Sequence, residues 1–399
     1  MPRQVTLVLV DRDGSPLGVL PPFPADPPYW QEVSAIVAGA RERFGVDVTV
    51  LRVLDGVGEA GTAVGGTVTY LAEASGVVDA GRGPVPPLPA HPLRHPYAEP
   101  GGPARLLAWA RSVLDADGRA PVTEAHQLRT WNLSTVWRLD TSTDPYWLKE
   151  VPPFLAHESA VLRWIGSVAP DLVPPLVGMD GGRVLLGHVP GEDRYHGGLA
   201  VRDAIDAAFH PVQLAAAERV DELIAAGVPD ARTPTLIAAL TAVVARHGNG
   251  DPRLRDLVDG LPDRLAEVRG CGLPDTLVHG DLHPGNTRSR PGTDGPPVIV
   301  DWGDSFIGHP GFDILRLAER LEQSEVDSLL SAWAIRWRAS RPGSDPLRAA
   351  ALLRPVAALR NAAVYARFLD HIEPAEHTYH RLDVPHWLTV ATDQDTVDN

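Results

Sequence analysis

Eight prolines fall between positions 81 and 103: Pro84, Pro86, Pro87, Pro89, Pro92, Pro96, Pro100 and Pro103. A pyrrolidine ring fixes φ and removes an N–H donor, so neither a helix interior nor a central strand can run through this stretch. The chain must fold as one segment before it and a longer one after it, and the stretch itself is expected to be a stiff linker over 81–103. Of 399 residues, that leaves a small domain over 1–80 and a larger body from 104 onward with ample length for a core.

Hydrophobic residues make up 44% and charged residues 22%, as in ordinary globular chains. The apolar run Val5 to Val10 is stopped by Asp11 and Arg12, too soon for a signal segment or a membrane span, so the expectation is a cytoplasmic protein with no membrane partner. A lone cysteine, Cys271, rules out an intramolecular disulfide and a thiolate zinc site. The net charge of -15 argues against nucleic acid as the main ligand, which needs a basic footprint; a cationic small molecule would be tolerated or attracted, and the plainer reading is that the acidity only keeps the chain in solution. Lys149 is the only lysine among 36 basic residues. Chance could leave one lysine anywhere; where other motifs also demand it, its survival marks a place for a compact ammonium to which a planar fork is not equivalent.

Residues 1–80 read as a small α/β unit. Strands are expected at 5–10, 17–20, 46–54 and 67–74, and a helix at 32–44 with Val33, Ile36, Val37 and Ala40 on one stripe and Gly45 at its end. Beyond the prolines, a helix at 104–115 precedes strands at 122–128, 135–141 and 146–151. A helix at 157–167 then buries Val161, Trp164, Ile165 and Val168, and strands follow at 173–177 and 183–188. From 191 the pattern is mostly helical, interrupted by short apolar stretches at 276–278 and 298–300.

The sharpest signal is His279-Gly280-Asp281-Leu282-His283-Pro284-Gly285-Asn286, followed by Val298-Ile299-Val300-Asp301-Trp302 and then Gly311-Phe312-Asp313-Ile314. This H-x-D-x-x-x-x-N pattern with its second Asp resembles the aminoglycoside phosphotransferase and choline-kinase family of small-molecule kinases, which share the protein-kinase fold. An Asp in a tight loop can accept the proton of a substrate hydroxyl, while an Asn five residues on and a carboxylate on the neighbouring strand hold magnesium against nucleotide phosphates. A turn at Arg290 to Gly295 lets those strands lie side by side.

The resemblance covers about residues 122 to 370 and implies an α+β, two-lobed, protein-kinase-like fold. Its small β-rich N-lobe would span 104–190 and its larger helical C-lobe 191–399. The implied reaction moves the γ-phosphate of ATP, with Mg2+, to a hydroxyl of a small molecule of aminoglycoside, amino sugar, macrolide or amino alcohol type. Asp281 would be the catalytic carboxylate, and Asn286 and Asp301 the metal ligands. Lys149, at the end of its strand, would clamp the phosphates, paired with Glu158 in the first turn of the next helix; the other reading of Glu158 is an acid that favours a helix N-terminus. Ser134 and Thr135, in a turn without glycine, would cover the phosphates with their backbone amides. Gly187, His188 and Val189 resemble the hinge that pairs with adenine through main-chain groups. The resemblance gives His279 a bracing role and Asp313 backbone N–H bonds to accept, and leaves His283 either touching substrate or capping the loop. Acceptor contacts would come from 192–270 and 318–399, where Glu192, Asp193, Arg194, Tyr195 and the acids of the last helices are candidates, the plainer reading of each being solvated surface. The competing reading is a catalytically silent kinase-fold binding or regulatory protein.

The first 80 residues also resemble a Nudix domain, whose signature needs three glutamates in R-E-U-x-E-E-x-G-U. Aligned on Gly45-Val46, only Glu42 remains, with Ala38, Gly39 and Arg43 at the other Arg and Glu positions. One carboxylate cannot build the metal cluster, so this domain is expected to have lost hydrolysis.

Overall fold

The run Val5 to Val10 forms β1 (Arg3–Val10), and its side chains are buried on both faces, as suits an interior strand. The computed structural model describes residues 2–75, 86–289 and 297–397. β2 (Pro16–Ala25), α1 (Ser34–Phe44), β3 (Asp47–Val57) and β4 (Thr67–Ser75) complete a four-stranded sheet of order β2-β1-β4-β3, with β1 and β4 parallel. β2 outruns its expected length despite Pro21, Pro22 and Pro24 because it is an edge strand, where missing N–H donors are tolerated. α1 lays Ile36 and Ala40 on Val5, Leu7, Leu9 and Tyr70, while Val8, Val10, Leu51 and Leu71 form a second core on the other face.

The described part of the proline-rich stretch is itself packed. Tyr97 and Ala98 are buried, Arg52 donates to the Ala98 carbonyl at 2.8 Å, the Gly101 N–H meets Glu73 at 2.7 Å, and Arg94 pairs with Glu373 at 2.8 Å. Next come α2 (Gly102–Ala116), β5 (Glu124–Trp131), β6 (Ser134–Asp140), β7 (Tyr146–Glu150), α3 (Glu158–Val168), β8 (Leu176–Asp180) and β9 (Arg183–Gly187). The second sheet has the order β5-β6-β7-β9-β8, and α2 covers it with Leu106, Ala110 and Leu114 against Trp137, Leu139, Leu148 and Leu185. β8 starts three residues later than expected because Pro174 and Pro175 cannot donate to a ladder. The buried amide of Gln127 on β5 bonds both the N–H and the carbonyl of Val50 on β3, at 2.9 and 2.7 Å, and so joins the two sheets.

Residues 1–154, 177–188 and 367–382 form this first compact unit, and 155–176, 189–366 and 383–399 a second. The second unit is mainly helical. After α3 and the short β10 (Glu192–Asp193) come α4 (Leu199–Ala217), α5 (Val220–Ala225), α6 (Thr233–His247), α7 (Pro252–Asp259) and α8 (Leu261–Gly270). β11 (Thr276–Val278), β12 (Thr287–Ser289), β13 (Val298–Ile299) and β14 (Phe306–Gly308) carry the loops of interest. α9 (Gly311–Ala318), α10 (Gln323–Ser340), α11 (Pro346–His371) and α12 (Asp383–Val397) finish the chain. The turn expected at Arg290 to Gly295 lies outside the described residues. No described helix is long and apolar enough to cross a membrane.

Candidate active site

β11 is wholly buried and pairs antiparallel with β14, which fixes where the loop 279–286 leaves the core. Asp313, in the first turn of α9, accepts the N–H groups of His279 and Gly280 at 3.0 and 3.1 Å and the Gln213 amide at 3.3 Å. Burial pushes its carboxyl up to about 7, against the pull of those two N–H groups. Gly280 has φ +86°, and a Cβ there would lie 2.2 Å from the Asp304 carbonyl, so only glycine fits. Arg360, from α11, reaches the Gly280 and Asp304 carbonyls at 3.4 and 3.2 Å and stacks over Phe306 at 3.8 Å.

His279 is fully buried against Trp302, with ring centroids 4.5 Å apart. Its Nε2 lies 3.0 Å from the Val300 carbonyl and its Nδ1 accepts the Asp281 N–H at 3.3 Å, an arrangement that sets the tautomer with the proton on Nε2. Burial lowers its pKa to about 4, so the ring is neutral and braces the loop. His283 caps the loop: its Nδ1 accepts the Gly285 N–H at 3.0 Å, which leaves the Nε2 proton facing Asp281 Oδ2 at 3.5 Å.

Asp281 is the focus of the loop. Its Oδ1 accepts Arg316 Nε at 2.8 Å and its Oδ2 the Asn286 amide at 3.1 Å. Burial pushes its carboxyl up, but the His283 contact and the Arg316 charge outweigh this and hold it well below the usual carboxylate range. Arg316 also pairs with Glu319 one turn along. Sequence reasoning missed Arg316 and Arg360. Arg316 follows Asp313 by one helical step and so shares its side of α9, a spacing that could have pointed to it.

Asn286 donates through Nδ2 to Asp281 O and Oδ2, which leaves its amide oxygen as the atom able to meet a cation. Val300 N–H donates to the Asn286 carbonyl at 2.9 Å, so Asp301 stands one residue along from Asn286 across the β12/β13 pair. Asp301 is held at φ 65°, ψ 63°, a left-handed conformation costly for a non-glycine residue and common where function fixes a side chain. The next residue, Trp302, gives its N–H to Glu158 Oε1 at 3.2 Å, and Glu158 is 2% exposed. One amide oxygen and one carboxylate suit Mg2+, which keeps phosphate and water for the rest of its shell. Among the described residues, no group of three or more His, Cys, Asp or Glu could hold a metal ion.

In the first unit, Lys149 lies on β7 between Val136 of β6 and Val184 of β9, flanked by buried Leu148 and Glu150. Gly187 ends β9 opposite Tyr146, and His188 Nδ1 receives Trp147 Nε1 at 3.3 Å. The chain passes into the second unit at Val189, whose carbonyl accepts Arg288 Nε at 3.4 Å. In the turn with Ser134 and Thr135 the side chains serve the hairpin. Both are buried; Ser134 Oγ receives Trp131 Nε1 at 3.0 Å, and Thr135 Oγ1 bonds the Arg129 carbonyl at 3.3 Å and Trp137 Nε1 at 3.1 Å. Asn132 in the same turn is bonded to His380 at 3.1 Å, and Trp131 packs on Tyr379 and His380. Neither hydroxyl is presented to a ligand, because both hold the hairpin together.

A family model described as the phosphotransferase enzyme family matches residues 124–352. No curated protein matches the chain. Among solved structures, the chain is similar to a macrolide 2'-phosphotransferase from Brachybacterium faecium, at 19% identity and TM-score 0.50 over 69% of this chain and 97% of that one. An aminoglycoside 2'-phosphotransferase-IIIa in its GDP complex gives 17% and 0.52 over 74% and 99%. Choline kinase from Streptococcus pneumoniae gives 15% and 0.53 over 72% and 99%. These likenesses show the protein-kinase-like α+β fold, and the family match covers more than half of the chain. With residues 124–352 matched, the chain belongs to the phosphotransferase enzyme family.

Proposed function

We propose that the protein transfers the γ-phosphate of ATP to a hydroxyl of a small molecule at Asp281. The observation that carries this reading is the Asp281 carboxylate, kept ionised and fixed at both oxygens by Arg316 and Asn286 in a loop braced from below. The acceptor oxygen forms its bond to the γ-phosphorus as the bond to the ADP oxygen breaks, and the hydroxyl proton passes to Asp281 and then to solvent. So acidic a carboxylate is a weak base, and its main work is to orient the hydroxyl while the proton leaves late in a loose transition state. Asn286 and Asp301 would hold Mg2+, whose charge offsets that of the phosphates. Lys149, paired with Glu158, would bind phosphate oxygens, and main-chain groups of Gly187, His188 and Val189 the adenine edge. The backbone amides of Ser134 and Thr135 would cover the phosphates.

The finer division into 1–80, 81–103, 104–190 and 191–399 belongs to the same proposal, with 1–80 a Nudix-like domain without hydrolysis. ATP with Mg2+ should raise the thermal stability of the full chain, since a ligand of the native state at a hundred times its Kd adds about 2.7 kcal/mol. An unshifted Tm at saturating nucleotide overturns the reading.

A further inference from the structure

A cavity of about 190 Å³ opens beside the catalytic loop, wholly within the second unit, and Gly280 and Arg316 form part of its wall. Arg316 links it directly to the reacting group, because its Nε holds Asp281 Oδ1. The resemblance implies amine-bearing acceptors, and the chain as a whole is strongly acidic, yet this wall has the opposite character. Three arginines line it, Arg316, Arg354 and Arg360, against one carboxylate, Glu319. That carboxylate is already bound by Arg316, so the wall has none left to receive an ammonium.

The arginines are not equivalent. Arg316 is balanced by Asp281 and Glu319, and Arg360 is bound to two loop carbonyls. Arg354, half-buried on α11, makes no hydrogen bond or ion pair with the described residues, so its fork of donors is unmatched. Beyond it on α12, Gln394 Oε1 is buried with no hydrogen-bond partner among the described residues. A buried acceptor left unbonded is costly and is ordinarily explained by something that bonds it. An unmatched guanidinium and an orphaned carbonyl oxygen in one cavity call for a ligand with an anionic group and a separate donor such as a hydroxyl. The cavity also lies below the roughly 300–1,000 Å³ of drug-sized ligand sites.

We infer that the acceptor is a small hydroxyl-bearing anion, a hydroxy-carboxylate or a phosphate ester, whose anionic group is gripped by Arg354 and whose further hydroxyl meets Gln394. This rests on Asp281 as the group that receives the acceptor. The acceptor hydroxyl gains the phosphoryl group, ADP leaves, and the proton exits through Asp281, so the product carries one phosphate more than the acceptor. Arg354 is a specificity residue here, since a bidentate fork suits carboxylate and phosphate alike.

The test uses the full chain with ATP and Mg2+ and four acceptor probes: D-glycerate, glycerol 3-phosphate, ethanolamine and kanamycin. ADP release is measured for each, and binding is read separately as a Tm shift in the presence of a non-hydrolysable ATP analogue. Turnover and stabilisation should be confined to the two anions, and the preference between them separates carboxylate from phosphate. Arg354→Gln should raise KM for the better anion at least tenfold with kcat within about threefold, and Arg354→Lys should recover part of the loss. Turnover or stabilisation by ethanolamine or kanamycin and not by the anions overturns the inference and leaves the kinase reading standing. Failure of every probe to stabilise a protein that the nucleotide does stabilise overturns it equally. A protein that the nucleotide itself does not stabilise refutes the reading beneath it.

Discussion

Two loops carry residues that the sequence marks for nucleotide chemistry, and they use their polar atoms in opposite ways. In the loop 279–286, the bonds that fix the backbone come largely from outside its reacting groups: from Asp313, from Arg360 and from the neutral ring of His279. Asp281 and Asn286 therefore keep their oxygens in fixed directions. In the β5–β6 turn, the hydroxyls of Ser134 and Thr135 are bonded within the hairpin, and the Asn132 amide oxygen is bonded to His380. A polar residue in a loop can do chemistry only where something else has already satisfied the backbone. Residue type alone does not separate the two cases.

The comparison is tested most severely at Asp281. Asp281→Asn keeps the shape but removes the charge that, in the proposed reaction, would orient the hydroxyl and receive its proton. A fall in kcat of about 10³-fold is expected, with the circular dichroism spectrum unchanged. A loss under tenfold would mean that the reacting group lies elsewhere. Asp313→Asn attacks the brace instead. Small misplacement of a catalytic group can cost about 100-fold in rate, and a loss of up to that size is expected here with nucleotide binding retained.

The same variant has a signature in pH. The Asp313 carboxyl is raised to about 7 in the folded chain, above its unfolded value of about 3.9, so between those values the folded state holds a proton that the unfolded state releases. Its contribution to stability is full below about pH 4 and is lost as the pH rises through about 7. Urea denaturation at pH 5 and pH 8 should show wild type losing more stability over that interval than Asp313→Asn, which cannot ionise. Equal losses would place the proton elsewhere.

Lys149→Arg comes next in size. The charge is kept, but the ammonium is replaced by a bulkier, differently directed fork on a strand whose neighbours Leu148 and Glu150 are buried. At least about a tenfold loss in kcat/KM is expected, or about 1.4 kcal/mol of transition-state stabilisation. Wild-type kinetics would make the survival of this one lysine an accident of composition.

Much of this was legible in the sequence where one local rule dominates. β-Branched runs place β1, β3, β4 and β11 close to their expected limits, and the H-x-D-x-x-x-x-N spacing brings Asp281, Asn286 and the segment of Asp301 together because a short loop and a two-strand pair leave little freedom. Long-range decisions were not legible. That residues 367–382 fold with the first unit follows from Arg94 finding Glu373 and Asn132 finding His380, contacts between positions more than 240 residues apart that no periodicity encodes. Arg316 and Arg354 look like ordinary helix-surface arginines, and their meaning appears only beside Asp281 and the cavity.

The smallest expected effect separates the two loops most cleanly. If Ser134 holds its hairpin, Ser134→Ala leaves Trp131 Nε1 without its acceptor at 3.0 Å. The expected cost is about 1 kcal/mol of stability, the usual size for one lost intramolecular hydrogen bond, because the part-buried indole N–H can recover little from water. KM for ATP should then stay within about twofold, since a residue this buried offers phosphate at most its backbone amide, which alanine keeps. Had the hydroxyl itself contacted phosphate, a charge-assisted bond would be lost, and KM for ATP would rise by about tenfold or more with little change in Tm. Measuring Tm and KM on the same preparation gives opposite patterns for the two roles. A shift in KM alone would put the Ser134 hydroxyl itself on the phosphates and remove the contrast between the loops.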